Sequence, residues 1–170
     1  MIIIRPESAE HETGVRVVEE RAFGRAGEAD LVDKLRARGA VTLSLIAVEA
    51  GEVVGHVLFS PVTIGEGSDA LLALGLGPVA VIPNRQNEGI GSRLIRAGLE
   101  ECRQAGVPAV VVLGDPRYYT RFGFGPAKRF GIRFMDENVP EEAFMIIELR
   151  RGALENHSGV ATYQSEFNNV

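Results

Sequence analysis

The sequence predicts a single α/β (α+β) domain built on a mixed, mostly antiparallel central sheet, with one parallel strand pair and flanking helices. Three observations carry this. The apolar period is near 3.6 in two segments before residue 39 and in a third at 89–105, but falls towards 2 between residues 42 and 81. The strongest helical segment lies between two strand-like runs, 71–81 and 109–113, which is the pattern of a parallel pair joined by a crossover helix. The length of 170 residues, 45% of them hydrophobic, suits one core of ordinary size.

Met1 to Arg5 is β-branched and stops at Pro6, so a first strand is expected there. Ser8 can cap a helix running to about Arg21, with Val15, Val17, Val18 and Ala22 as its apolar positions. Gly24 and Gly27 interrupt the chain, and a second helix is expected over Glu28–Arg38, ended by Gly39. Thr42–Glu49, Val53–Thr63 and Leu71–Val81 then read as an antiparallel meander, turning at Ala50-Gly51-Glu52 and at Gly65–Asp69. Within the last of these, Gly75-Leu76-Gly77-Pro78 predicts a bulge, because proline lacks a ladder donor.

A helix is expected over Gly89–Ala105, with Gly91, Leu94, Ile95, Gly98, Leu99 and Cys102 on one face. Ala109–Leu113 is a buried-type strand, and the aromatic stretch Asp115–Phe124 follows it. Two more strands are expected at Gly131–Phe134 and Ala143–Leu149, and a short one at Val160–Tyr163. No internal repeat or long linker divides the chain, so the expectation is one domain over 1–170, with a core of 1–150 and a C-terminal extension of 151–170.

Composition narrows the function. One cysteine precludes a disulfide framework within the chain. The three histidines, His11, His56 and His157, are far apart, so no zinc site and no resident metal is expected. A net charge of −5 without a basic stripe argues against nucleic acid as a partner. No apolar run nears the ~20 residues of a membrane helix, and the N-terminus reads as a strand rather than a signal peptide. A cytoplasmic protein without a membrane partner is expected.

Two segments carry chemistry. Gln86-Asn87-Glu88-Gly89-Ile90-Gly91 lies between a strand and a helix, where successive backbone N–H groups can cradle an anion. No Gly-Lys-Ser/Thr follows, and the third glycine of a dinucleotide fingerprint is missing. A bare Gly-x-Gly also fits a plain turn and helix cap. The second segment, Tyr118-Tyr119-Thr120-Arg121-Phe122-Gly123-Phe124, crowds aromatics into seven residues of a chain that is 6% aromatic. A hydrophobic plug would account for the phenylalanines, but two buried tyrosine hydroxyls would each need a partner.

Taken in order, Val79-Ala80-Val81-Ile82-Pro83, Gln-x-x-Gly-x-Gly, helix, strand and Tyr-x-x-x-Gly-Phe resemble the GNAT superfamily of N-acetyltransferases. The Gly-Asp-Pro-Arg-Tyr-Tyr-Thr-Arg-Phe-Gly-Phe run is similar to a bacterial subgroup of uncharacterised predicted acetyltransferases. The resemblance implies a GNAT-like fold with a splayed parallel strand pair, and acetyl-coenzyme A as co-substrate. It implies that Val79, Ala80 and Val81 offer backbone groups to the pantetheine arm, with the Val79 N–H polarising the thioester carbonyl. Gln86, Asn87, Glu88, Gly89, Ile90, Gly91 and Ser92 would form the pyrophosphate loop. Tyr119 would be the catalytic acid that protonates the departing thiolate.

Two departures from the family pattern stand out. Glu88 places a carboxylate where the family has a basic or neutral residue, although an acid also suits a bare helix N-terminus. The fourth strand has no carboxylate between Ala70 and Val81 to act as base, which leaves Glu20, Glu28, Asp30 and His56 as candidates through water. Residues 1–33 carry eight acids against four arginines, and Asp136, Glu137, Glu141 and Glu142 add more, a charge balance that would steer a cationic amine. The reading is an N-acetyltransferase acting on a small-molecule or peptide amine by direct attack, with a homodimer left open. The alternative is a non-catalytic acyl-coenzyme A binding or sensing module on the same fold.

Overall fold

The computed structural model describes residues 1–170, which fall into two compact units. The first comprises Met1–Ser60, Gly77–Gly98 and Ser165–Val170, and the second Pro61–Leu76 and Leu99–Gln164.

In the first unit, β1 (Ile3–Pro6) pairs antiparallel with β2 (Leu43–Glu49), and β2 with β3 (Glu52–Ile64). The end of β4 (Leu71–Val81) continues the order β1-β2-β3-β4. Helices α1 (Glu12–Phe23) and α2 (Gly27–Ala37) bury one stripe each. Val15, Leu31, Val32 and Leu35 pack with Ile46, Val48 and Leu58 of the strands. Leu35 is fully buried, a contribution of about 1.5–3 kcal/mol for a side chain of that size. Phe167, from a 3-10 turn at Ser165–Asn169, packs against the same cluster.

The start of α3 (Ile90–Gln104) lies on β3 at very close range, and glycine permits it. A Cβ at Gly98 would sit 2.3 Å from the Phe59 ring, and one at Gly55 would sit 3.0 Å from Leu94. The expected apolar face is confirmed, with Leu94, Ile95, Leu99 and Cys102 all buried.

In the second unit the order is β4-β5-β8-β6, with β5 at Ala109–Leu113, β6 at Gly125–Pro126 and β8 at Phe144–Glu148. β9 (Gly159–Thr162) pairs with the end of β3 and runs parallel to β7 (Ile132–Phe134). The pairing of β4 with β5 is parallel and lasts three residues, Leu74↔Val110 to Leu76↔Val112.

The disturbance in β4 is narrower than the sequence suggested. Gly75 keeps its place opposite Val111, and irregular backbone begins at Gly77, whose φ is 141°. Gly75 instead serves close packing, since a Cβ there would meet Tyr163 and Val62 at 2.9 Å. The first expected helix is also divided: Ala9–His11 forms a 3-10 turn, and α1 begins only at Glu12.

Candidate active site

The proposed coenzyme-binding residues of the first unit cluster at one place. β4 ends at Val81, and a 3-10 turn at Pro83–Arg85 leads into the glycine loop. The Gln86 side-chain amide donates to the Val81 carbonyl at 2.9 Å, tying the loop to the strand end. That carbonyl is therefore already engaged by the loop. Asn87 and Gly89 take left-handed backbone, with φ of 65° and 85°. Such alternation turns successive N–H groups to one side. The first helical bond of α3 runs from the Arg93 N–H to the Gly89 carbonyl, so the N–H groups of Ile90, Gly91 and Ser92 have no intrahelical acceptor. Together these groups can hold an anion such as a pyrophosphate.

The Glu88 carboxylate is exposed and accepts from Arg85 Nε at 3.2 Å, while the same guanidinium reaches Glu49. The loop thus carries its own counter-charge, which the sequence alone does not reveal.

Tyr119 belongs to the second unit. Asp115 caps the short helix α4 (Pro116–Tyr119), its carboxylate accepting from the Arg117 N–H at 2.9 Å. The ring packs edge-on to Tyr118 and Phe124, with centroids 5.0 and 5.9 Å apart, and against Gly114, where a Cβ would come within 2.4 Å of it. Burial, with a smaller effect from Tyr118, pushes its hydroxyl up to about 12. At neutral pH it holds its proton and can donate it. Tyr118 is engaged differently, with the Arg121 guanidinium 4.6 Å over its ring.

The same unit holds a cavity of about 310 Å³, with Phe134, Phe144 and Ile132 in its wall and Asp136, Glu137 and Glu141 among its polar lining. Its position relative to Tyr119 follows from the strands. Phe144 lies opposite Leu113, and the next residue, Gly114, donates to the Ala143 carbonyl at 2.8 Å and supports the Tyr119 ring.

Among the candidate bases, Glu20 and Asp30 both pair with Arg16, at 2.9 Å each. Glu28 is buried against Arg25 at 2.5 Å, and that hydrogen bond lowers its pKa, making it a weaker base. Arg16 also binds Asp33, and Arg36 binds Glu7, so much of the acidic surplus of residues 1–33 is neutralised in place. His56 is fully buried and meets Glu19, a residue the sequence reading took for surface charge. The missed signal was spacing: Glu19 stands four residues after Val15 and one after Val18, on the buried face of α1.

The mixed sheet, with its short parallel pair and a helix starting on a glycine turn, is the fold of an α/β acyltransferase, as the relatives of this chain show. The chain belongs to the GNAT family, matching the Acetyltransferase (GNAT) domain over residues 4–127. It is 36% identical to the uncharacterised N-acetyltransferase YhbS of Escherichia coli K12, over 98% of this chain and 99% of the relative. It is 48% identical to the uncharacterised N-acetyltransferase YjhQ of the same strain, over 66% of this chain and 63% of the relative. The crystal structure of YhbS in complex with CoA superposes with a TM-score of 0.92, at 35% identity, covering 98% and 92% of the two chains. A GNAT family acetyltransferase from Brucella melitensis in complex with acetyl-CoA gives 0.80, at 38% identity and 98% coverage of both. No helix is long and apolar enough to cross a membrane, and no group of three or more His, Cys, Asp or Glu side chains is arranged to hold a metal ion.

Proposed function

We propose that the chain transfers the acetyl group of acetyl-coenzyme A to a primary amine by direct attack, with no covalent enzyme intermediate. The observation that carries this reading is the loop after β4. Its left-handed residues Asn87 and Gly89 and the first-turn N–H groups of α3 suit a pyrophosphate, immediately after a strand segment that has stopped pairing with β5. Acetyl-coenzyme A in one related structure and CoA in another support the choice of co-substrate.

In this reading the Val79 N–H polarises the thioester carbonyl while the amine nitrogen attacks its carbon. The C–N bond forms, the C–S bond breaks, and the Tyr119 hydroxyl gives its proton to the departing sulfur. The cavity beside Phe144, where Asp136, Glu137 and Glu141 outnumber Lys128 and Arg133 along an aromatic wall, suits a cationic amine carried on an apolar body.

The test is thiol release from acetyl-coenzyme A with a panel of amines, the acetylated product being identified by mass. Release with at least one amine, lowered by Gly91→Val through a weaker coenzyme Kd, is the expected result. Tight coenzyme binding without release for any amine would favour a binding module.

A further inference from the structure

Under α1 and α2, a chain of polar side chains crosses the apolar core of the first unit. Glu19 Oε1 lies 2.6 Å from His56 Nδ1, and both side chains are fully buried. His56 Nε2 lies 2.8 Å from Ser44 Oγ, which donates to Glu7 Oε1 at 2.9 Å. Glu7 in turn accepts from Arg36 at 2.7 Å, where the guanidinium is partly exposed. At the other end, Glu19 Oε2 makes no hydrogen bond to any protein group, though it is buried.

Donor accounting fixes the protons in this chain. The Ser44 hydroxyl has one proton, and the carboxylate of Glu7 can only accept, so the proton points to Glu7. His56 Nε2 must then donate to Ser44 Oγ. The contact between His56 Nδ1 and Glu19 Oε1, two atoms that would otherwise both be acceptors, must hold one further proton. The couple is net neutral wherever that proton sits, which is what burial demands. Burial raises the pKa of Glu19, and the hydrogen bond and charge of His56 oppose the rise. The other charges that bear on the couple are Glu7 and Glu28, each paired to an arginine, Arg36 and Arg25.

The chain lies beside the proposed thioester site. The Ile82 N–H donates to the Val54 carbonyl at 3.0 Å, and on an antiparallel ladder this sets Ala80 opposite His56. The strand segment assigned to the acyl arm is thus the immediate neighbour of the histidine.

We propose that Glu19, His56, Ser44 and Glu7 form a proton wire that carries away the proton lost by the attacking amine. The proton enters at Glu19 Oε2 through a water molecule, and the shared proton moves fully to His56 Nδ1. The Nε2 proton passes to Ser44 Oγ, and the Ser44 proton passes to Glu7 and out beside Arg36. One proton enters and one leaves, and His56 ends as the other neutral tautomer; after product forms, the same hops in reverse return one proton from solvent through the water, which resets His56 and replaces the proton that Tyr119 gave to sulfur. Glu19 and His56 are positioning residues in this scheme, because they act through water. The wire supplies the base that β4 lacks, and it rests on the acetyl-transfer reading above.

Ser44→Ala interrupts the wire at a half-buried position while leaving Glu19 and His56 in contact. With acetyl-coenzyme A and the best amine of the panel, kcat should fall about tenfold or more, with the KM for acetyl-coenzyme A unchanged. The rate should also become dependent on buffer concentration, since small buffer bases can then take the proton. Ser44→Thr, which keeps the hydroxyl, should restore both the rate and its buffer independence. A purely structural role for Ser44 would not move buffer dependence. Wild-type kcat and buffer independence in a folded Ser44→Ala protein would overturn the wire while leaving acetyl transfer intact. Absence of turnover in the wild type with every amine would instead sink the acetyl-transfer reading, and the wire with it.

Discussion

Arg85 Nε donates to Glu88 at 3.2 Å, so the carboxylate that breaks the family pattern in the proposed pyrophosphate loop arrives with its own cation. Because Arg85 also serves Glu49, the three side chains together keep one net negative charge.

Glu88→Gln removes that charge without placing a second cation against Arg85. Acetyl-coenzyme A should then bind about 2–5-fold tighter at 0.05 M salt, and the gain should shrink near 0.5 M, where screening is stronger. Calorimetry at the two salt concentrations checks this. Equal affinities at low salt would mean that the side chain is already turned away from the bound phosphates.

Tyr119 and Gly114 form the second test. Tyr119→Phe removes the proposed acid and should lower kcat about 10²-fold with little change in coenzyme affinity. Gly114→Ala keeps the hydroxyl but pushes on the ring, which lies 2.4 Å from the new Cβ position, and should also lower kcat. Steady-state kinetics with calorimetry separates turnover from binding. A Gly114→Ala enzyme with wild-type kcat would show that the ring position is not limiting.

Gly98 faces Phe59 across the contact of α3 with β3, and a methyl group there has no room. Gly98→Ala should destabilise the protein by about 1–3 kcal/mol, the usual range for overpacking. Adding Phe59→Leu should recover part of the loss, so the two changes should not be additive in urea unfolding.

Glu166 and Arg38 give a pH dependence of known sign. Arg38 holds the Glu166 carboxyl down to about 2, from an ordinary value of 4.5. A folded pKa below the unfolded one stabilises the protein above the unfolded value, and this stabilisation is lost as pH falls through the folded one. The difference in Tm between wild type and Glu166→Gln should be largest above about pH 5 and should close as pH approaches about 2. A gap that persists at the acid end would assign the effect to packing.

The sequence by itself determined the three long helices and every strand but β6, in their order, because each rests on local patterning. Leu71–Val81 and Ala109–Leu113 were readable to the residue from β-branched runs between turn signals. The glycine loop and the aromatic run were readable for the same reason, as short contiguous motifs. What only the tertiary structure decided are pairings between distant residues. Glu19 and Glu20 look alike in sequence, yet one is buried against His56, 37 residues away, and the other is half-exposed and paired with Arg16. The parallel pairing of β7 with β9 and the two-residue β6 left no local signature either. Charge and strand partners are chosen by what packing brings within a few ångströms, and a carboxylate's neighbours set whether it is a solvated surface group or a member of a buried proton-sharing couple.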